Sequence, residues 1–272
     1  MVGIGRDDLR AAARRIGALS LRMRAALGVG VVVCIALAAL AVANAQQEAR
    51  LLRSDPDSIP GDAGLMRFAA ERGASVFKSH CANCHGAEGR GHYTLGVANL
   101  TDNDWLYGEG DVSDIEQVAL YGIRAQNSRT WKLADMPAFA RPRPYPREPL
   151  IQPLTPGDIN DVIQFLRVAA AQPADGAAAA RGAAIFATRG GCYDCHSHDA
   201  RGDPAIGAPN LADPIWLYGD GSSQWLYDSI AYGRAGVCPA WVNLLSPAKI
   251  LEASVYVYTL SHGGSPPKTS LP

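Results

Sequence analysis

Two short stretches, CANCH at 81–85 and CYDCH at 192–196, hold most of the reactive side chains. Each has two cysteines three residues apart and a histidine directly after the second. C-x-x-C-H is the attachment signature of a c-type haem. On a helical turn this spacing puts both thiols on one face. There they can bond the haem vinyl groups while the imidazole reaches the iron from beneath. A four-cysteine zinc site is the competing reading. It gives no reason for a histidine after both pairs, and it fits a cytoplasmic chain rather than an exported one. The spacing therefore predicts two covalently bound haems c. Cys81, Cys84, Cys192 and Cys195 are the anchors, and His85 and His196 are the proximal iron ligands.

A distal ligand must come from elsewhere, commonly Met or His, or the position stays open. Of the four methionines, Met1, Met23, Met66 and Met136, only Met136 follows a haem motif, 51 residues after His85. Met136 is expected to close the first haem; a core methionine is the alternative. The matching place in the second half, 42 residues after His196, holds Cys238, and Met136-Pro-Ala-Phe is answered there by Cys238-Pro-Ala-Trp. A thiolate binds ferric iron well and sets a potential below that of methionine. Past residue 45 there are five cysteines, four of them used by the haem motifs, so Cys238 has no intramolecular disulfide partner. Cys238 is thus the candidate distal ligand of the second haem. His198, His262 or a five-coordinate iron beside a buried Cys238 remain open.

The elements that position these groups occur twice. GVANLTDNDWLYG (96–108) recurs as GAPNLADPIWLYG (207–219), and YGIRA (121–125) as YGRAG (232–236), at the same offset of 111 as the two haem motifs. GASVF (73–77) answers to GAAIF (182–186), and LTPGDINDVIQFLRVAA (154–170) to LSPAKILEASVYVYTLS (245–261). Apolar residues at 159, 162, 163 and 166, and less cleanly at 250, 251 and 255 with Ser254 among them, have helical spacing. Thr155-Pro156 and Ser246-Pro247 are helix-start signals. No stretch alternates like a strand. The chain therefore reads as all-α. Residues 1–47 form a signal peptide or membrane anchor, 48–170 a first haem domain, 171–181 a linker, 182–262 a second haem domain and 263–272 a loose tail. RPRPYPREP (141–149) is a proline-rich loop of the first half only.

Smaller roles fall to matched pairs. The carbonyls of Ala98 and Pro209 are expected to accept the other N–H of each proximal histidine. Leu100 and Leu211 should pack on the haem faces, and Trp105 and Trp216 should fill the core. Arg124 and Arg234 are candidates for haem propionates or plain surface charges, and His92 is a surface histidine.

The segment 27–43, LGVGVVVCIALAALAVA, is almost wholly apolar and follows six arginines. Such a basic flank stays in the cytoplasm, which puts everything after residue 47 on the far side of the membrane. Ala43-Asn44-Ala45 fits a cleavage site, while the apolar length lies between a signal peptide and a membrane span. Cys34 follows Val33 and is apolar filling. Six of the 25 Lys/Arg and two of the 26 Asp/Glu lie before residue 46, so the remainder is mildly acidic, by about five charges. That speaks against nucleic acid and for a basic docking partner.

Each half resembles a class I cytochrome c domain: C-x-x-C-H, an Asn-Leu element, then a distal Met-Pro. The stretches GASVFKSHCANCHGAEGRG, NLTDNDWLYG, GDPAIGAPNLADPIWLYG, YGRAGVCPAW and VYTLS are similar to the dihaem subunit III of cbb-type cytochrome c oxidases, the CcoP/FixP family, over about residues 55–262. The resemblance implies two tandem class I cytochrome c domains after an N-terminal apolar helix. It implies a relay that takes single electrons from cytochrome c or a bc complex. The acceptor would be a membrane-bound redox complex with a haem-copper core, on the periplasmic side of the bacterial inner membrane. The chain departs from the family in two places: it has no Trp before Trp105, and it has Cys238 where the family has Met. His/Cys ligation is also used by dihaem thiosulfate dehydrogenases, which makes such an enzyme the rival expectation, with a dihaem peroxidase behind it.

Overall fold

The computed structural model describes residues 6–142 and 152–262; most of the proline-rich stretch and the 263–272 tail lie outside the described residues. Helix α1, Arg6–Leu51, belongs to a compact unit that ends at Arg53. Its stretch Ala25–Leu51 has 27 residues and includes an 18-residue window of mean hydropathy 2.7 with no buried side chains. At 1.5 Å per residue it is about 40 Å long, more than a bilayer core requires. The helix passes through Ala43-Asn44-Ala45 without a break.

The second unit begins at Ser54. After a 3-10 turn at Pro56–Gly61 come α2 (Ala63–His80), α3 (Ala82–His85), α4 (Val112–Tyr121) and α5 (Pro156–Ala169). Then follow α6 (Gly176–Phe186), α7 (Tyr193–His196), α8 (Ser223–Tyr232) and α9 (Pro247–Ser261). Among the described residues there is no extended strand, only isolated bridges between loops. The all-α expectation holds. The caps show why the helices start where they do. Asp62 accepts from the Gly64 and Leu65 amides, and Asp175 from those of Ala177 and Ala178. Thr155 and Asp158 form a reciprocal capping box, with Pro156 in the first turn. Ser246 caps α9 ahead of Pro247.

The two halves do not close on themselves. Helix α9 packs on α2 and α4, whereas α5 packs on α6 and α8. Each crossing is built alike. Gly73 of α2 lies against the Glu252 carbonyl of α9, and Gly182 of α6 against the Asp161 carbonyl of α5; a Cβ at either glycine would collide with that backbone. An arginine beside each glycine pairs with the same partner residue: Arg72 with Glu252, and Arg181 with Asp161. One core cluster accordingly joins Phe139, Ile159, Val162, Ile163 and Leu166 of the first half to Ile185, Phe186, Leu226 and Ile230 of the second. Each such side chain contributes roughly 1.5–3 kcal/mol on burial, so these exchanged contacts hold the unit together.

The connection explains part of this. Between Ala169 and Gly176 the chain has only a short turn, and α6 starts inside the span read as linker. A short turn favours an antiparallel helix pair, α5 on α6. The crossover itself follows α4 and α8. There Gly122 (φ 70°) and Gly233 (φ 76°) adopt backbone conformations that other residues enter at a cost, and each presses on a carbonyl from the other half, Cys238 O and Met136 O respectively.

Candidate functional site

Each C-x-x-C-H motif forms a single helical turn, α3 and α7. The backbone N–H of His85 donates to Cys81 O at 3.0 Å, and that of His196 to Cys192 O at 2.9 Å. Among the described residues none of the six cysteines forms a disulfide. The expected support of the imidazoles is present. His85 Nδ1 lies 3.0 Å from Ala98 O, and His196 Nδ1 lies 3.1 Å from Pro209 O. A carbonyl can only accept, so Nδ1 carries the proton and Nε2 is left for a metal. Burial lowers the pKa of both rings, His85 and His196, which favours the neutral form that iron ligation needs.

A single continuous cavity of about 920 Å³ runs between the motifs. All eight residues expected at the iron sites line it: Cys81, Cys84, His85, Met136, Cys192, Cys195, His196 and Cys238. The donor set fits haem. Trp216 Nε1 and Arg234 Nη2 are buried without a hydrogen-bond partner, and both residues line the cavity. Two donors left without partners in an apolar wall call for an anionic acceptor, which a haem propionate supplies. Arg234 is held for that role by Ser229 Oγ, 3.0 Å from its Nε, and lies 4.2 Å over the Tyr218 ring. Arg124 is committed otherwise: it pairs with Asp135 and donates to the carbonyls of Ala134 (2.5 Å) and Gly236 (2.9 Å). Among the described residues no three His, Cys, Asp or Glu side chains converge to hold a bare metal ion.

The expected pairing of distal residues is corrected by the structure. Met136 does not stand with the first motif, nor Cys238 with the second. The Cys238 loop lies on the first half. Cys238 N donates to Ile123 O, and Ile123 N to Cys238 O, each at 2.9 Å. Trp241 N and Val242 N donate to the carbonyls of Ala119 and Leu120 at the end of α4. The charges acting on the Cys238 thiol are Cys81 and Cys84; burial first, then these neighbours, push its pKa up to about 11. The Met136 loop lies on the second half. Met136 and Arg234 exchange backbone hydrogen bonds at 3.1 and 3.0 Å, and Phe139 N donates to Ile230 O at 3.0 Å. The Met136 side chain packs against the joint core cluster, as do Cys192, Leu211 and Trp216. The reason is the crossover at Gly122 and Gly233, which carries each distal loop into the opposite half.

Other expectations settle as follows. Leu100, Leu211, Trp105 and Trp216 all line the cavity. His198 is stacked on Tyr193 and His262 on Tyr258, and neither lines the cavity. His92 is exposed and bonded to Thr94. Two features were not read from the sequence. The WLYG tyrosines reach across: Tyr107 packs on Gly207 and Tyr218 on Gly96. Asp104 also lines the cavity; burial, then Asp213 and Asp102, raise its pKa to about 6. The repeated WLYG motif marked the tyrosines as paired, but not the direction in which they point.

The family model for cytochrome c matches residues 70–169. The chain is 35% identical over 221 residues to the cbb3-type cytochrome c oxidase subunit CcoP of Cereibacter sphaeroides, covering 81% of this chain and 71% of that one. It is 38% identical to the cbb3-type cytochrome c oxidase subunit FixP of Bradyrhizobium sp. (strain ORS 278), over 79% of this chain and 69% of that one. It is 36% identical to the subunit CcoP of Rhodobacter capsulatus, over 81% and 72% respectively. A solved structure, the Kuenenia stuttgartiensis reducing HAO-like protein complex Kustc0457/Kustc0458, aligns at 19% identity and a TM-score of 0.19 over 70% of this chain and 96% of that one.

Proposed function

The chain belongs to the CcoP/FixP family of cbb3-type cytochrome c oxidase subunits, cytochromes c that hold haem covalently and transfer electrons, and from that premise we propose that it is a dihaem electron relay. Haem c supplies an iron that takes up and releases one electron. Cys81, Cys84 and His85 hold the first group; Cys192, Cys195 and His196 hold the second. Met136 and Cys238 complete the iron coordination. The observation that carries the reading is the single cavity lined by both motifs. Two groups held on one cavity lining would exchange electrons inside one chain.

The N-terminal helix anchors the protein in the inner membrane, with its arginine-rich end in the cytoplasm and residues past 47 in the periplasm. The donor is a cytochrome c or bc complex, and the acceptor is the haem-copper subunit of a cbb3-type oxidase. The acidic balance of the exported part suits a basic donor surface. The test is purification of the tagged chain from membranes. Two haems per chain, co-purifying haem-copper protein and oxidation of added reduced cytochrome c support the reading. A chain that purifies alone and is not reduced by cytochrome c defeats it. Cys238 in the cavity favours one second reading, a thiosulfate-oxidising dihaem enzyme. Reduction of the oxidised protein by thiosulfate would select it.

A further inference from the structure

One side chain touches both candidate distal loops. Arg124 Nη2 donates to Ala134 O at 2.5 Å, two residues before Met136, and Nη1 donates to Gly236 O at 2.9 Å, two residues before Cys238. Its Nε pairs with Asp135, and the guanidinium also reaches the Tyr107 hydroxyl. We infer that Arg124 is a positioning residue for both irons: one planar guanidinium ties the Met136 loop to the Cys238 loop and sets how closely each sulfur approaches its iron. This rests on the dihaem reading above and holds whichever haem each loop serves.

Three features support the tie. The guanidinium presents its N–H donors in a rigid plane, so neither loop can shift without breaking a bond to it. The Arg124 side chain is only 18% exposed, so water does not readily replace a broken bond. The backbone of Arg124 is held at φ 49°, a conformation that non-glycine residues enter at a cost, and its amide is fixed there by Trp131 O at 2.9 Å. The tie also has no repeat. At the offset of 111 residues the counterpart of Arg124 is Ala235, whose methyl group donates nothing. Both loops therefore lean on one side chain of the first half. About 7 Å of chain at most separates each accepted carbonyl from the sulfur-bearing residue, so a shift of the carbonyl carries to the sulfur. A loosened loop weakens the bond from sulfur to iron and admits water, which favours ferric iron and lowers the potential. Loss of the tie should act on both irons, whereas an ordinary loop contact would act on one.

The experiment uses the full-length protein and its Arg124→Lys variant. Lysine keeps the charge but lacks the planar fork, and cannot hold Asp135 and both carbonyls at once. Haem content is measured first: fewer than two haems per chain in the native protein defeats the dihaem reading itself. With two present, redox titration of the variant should show each one-electron equilibrium constant lowered about tenfold, a fall of about 59 mV in both potentials. Native potentials, or a fall in one alone, overturn the inference. Gly73→Val is the control for general loosening, because Gly73 sits at a helix crossing and does not line the cavity. Its stability should drop while both potentials stay native; a fall like that of Arg124→Lys would reduce Arg124 to a structural residue. Should Arg124→Lys fail to fold, Asp135→Asn weakens one anchor of the same fork. Imidazole should then bind both ferric irons several-fold more tightly than in the native protein, and a gain at one iron or at neither overturns the inference.

Discussion

The first pocket is walled by α2, α4 and α9 and receives Cys238; the second is walled by α5, α6 and α8 and receives Met136. Their frames are nearly superimposable in design: a glycine at the helix crossing, an arginine–carboxylate pair beside it, and a proximal histidine on a loop carbonyl. Their linings differ. The first has a thiol and an arginine engaged by Asp135 and two carbonyls; the second has a thioether and an arginine with one buried nitrogen, Nη2, left without a partner. Duplication kept what the helices need to pack, while the groups that set the electronic properties of each iron diverged.

The largest expected effect removes the main difference. Cys238→Met should raise one of the two potentials on the order of 0.2 V, within the roughly 0.8 V that axial ligands command. The other potential should stay within about 30 mV, as judged by an optical redox titration with the roughly 59 mV-per-decade slope of a one-electron couple. Two potentials that move together would mean that the pockets are not electronically distinct.

Next comes the shared frame. Gly73→Val and Gly182→Val each drive a side chain into the backbone of the crossing helix. Both should cost about 2–4 kcal/mol in urea unfolding of the holo protein, and by similar amounts. A mild effect at one alone would show that its crossing gives way.

A smaller asymmetry is electrostatic. Asp104 has Ile215 as its counterpart in the second half, and its carboxyl is pushed up from 3.8 to about 6. The folded state then holds a proton that the unfolded state has released. Stability falls as pH rises from about 4 to about 6, and the loss is complete above that. Because Asp104 is only half buried, the full shift is discounted for screening to about 1–2 kcal/mol. Asp104→Asn should abolish this pH dependence and stabilise the protein at pH 7. Unfolding midpoints at pH 4, 5, 6 and 7 measure it.

The smallest difference lies at the helix starts. Thr155 sits in a reciprocal capping box, whereas Ser246 makes one longer hydrogen bond of 3.4 Å. Thr155→Ala should cost about 1–2 kcal/mol and Ser246→Ala about 0.5–1 kcal/mol, read from thermal unfolding. Equal losses would show that α9 is held as firmly at its first turn as α5.

Much of this was legible without coordinates. C-x-x-C-H has one dominant chemical meaning, because few other sites need two thiols and an imidazole on one turn. The offset of 111 residues exposed the duplication. Thr155-Pro156 and Ser246-Pro247 marked helix starts because capping depends on neighbours a few residues away. The Ala98 and Pro209 acceptors followed from the same local logic. Cys238 stood out because its counterpart is a methionine.

Which half each element would serve was not legible. Helices α5 and α9 carry similar apolar faces, and α2 and α6 offer similar glycine-centred grooves. Either C-terminal helix can therefore sit on either N-terminal helix without violating any local rule. Pattern and spacing describe what a segment can pack against, and in a duplicated chain two partners answer to one description. The choice is made by the turn between Ala169 and Gly176 and by the crossover at Gly122 and Gly233. These act through long-range connectivity, which the sequence contains but does not display. The sequence by itself determined the cofactor class, the eight candidate ligands and the helical duplication. Only the tertiary structure decided which half each distal loop lies on.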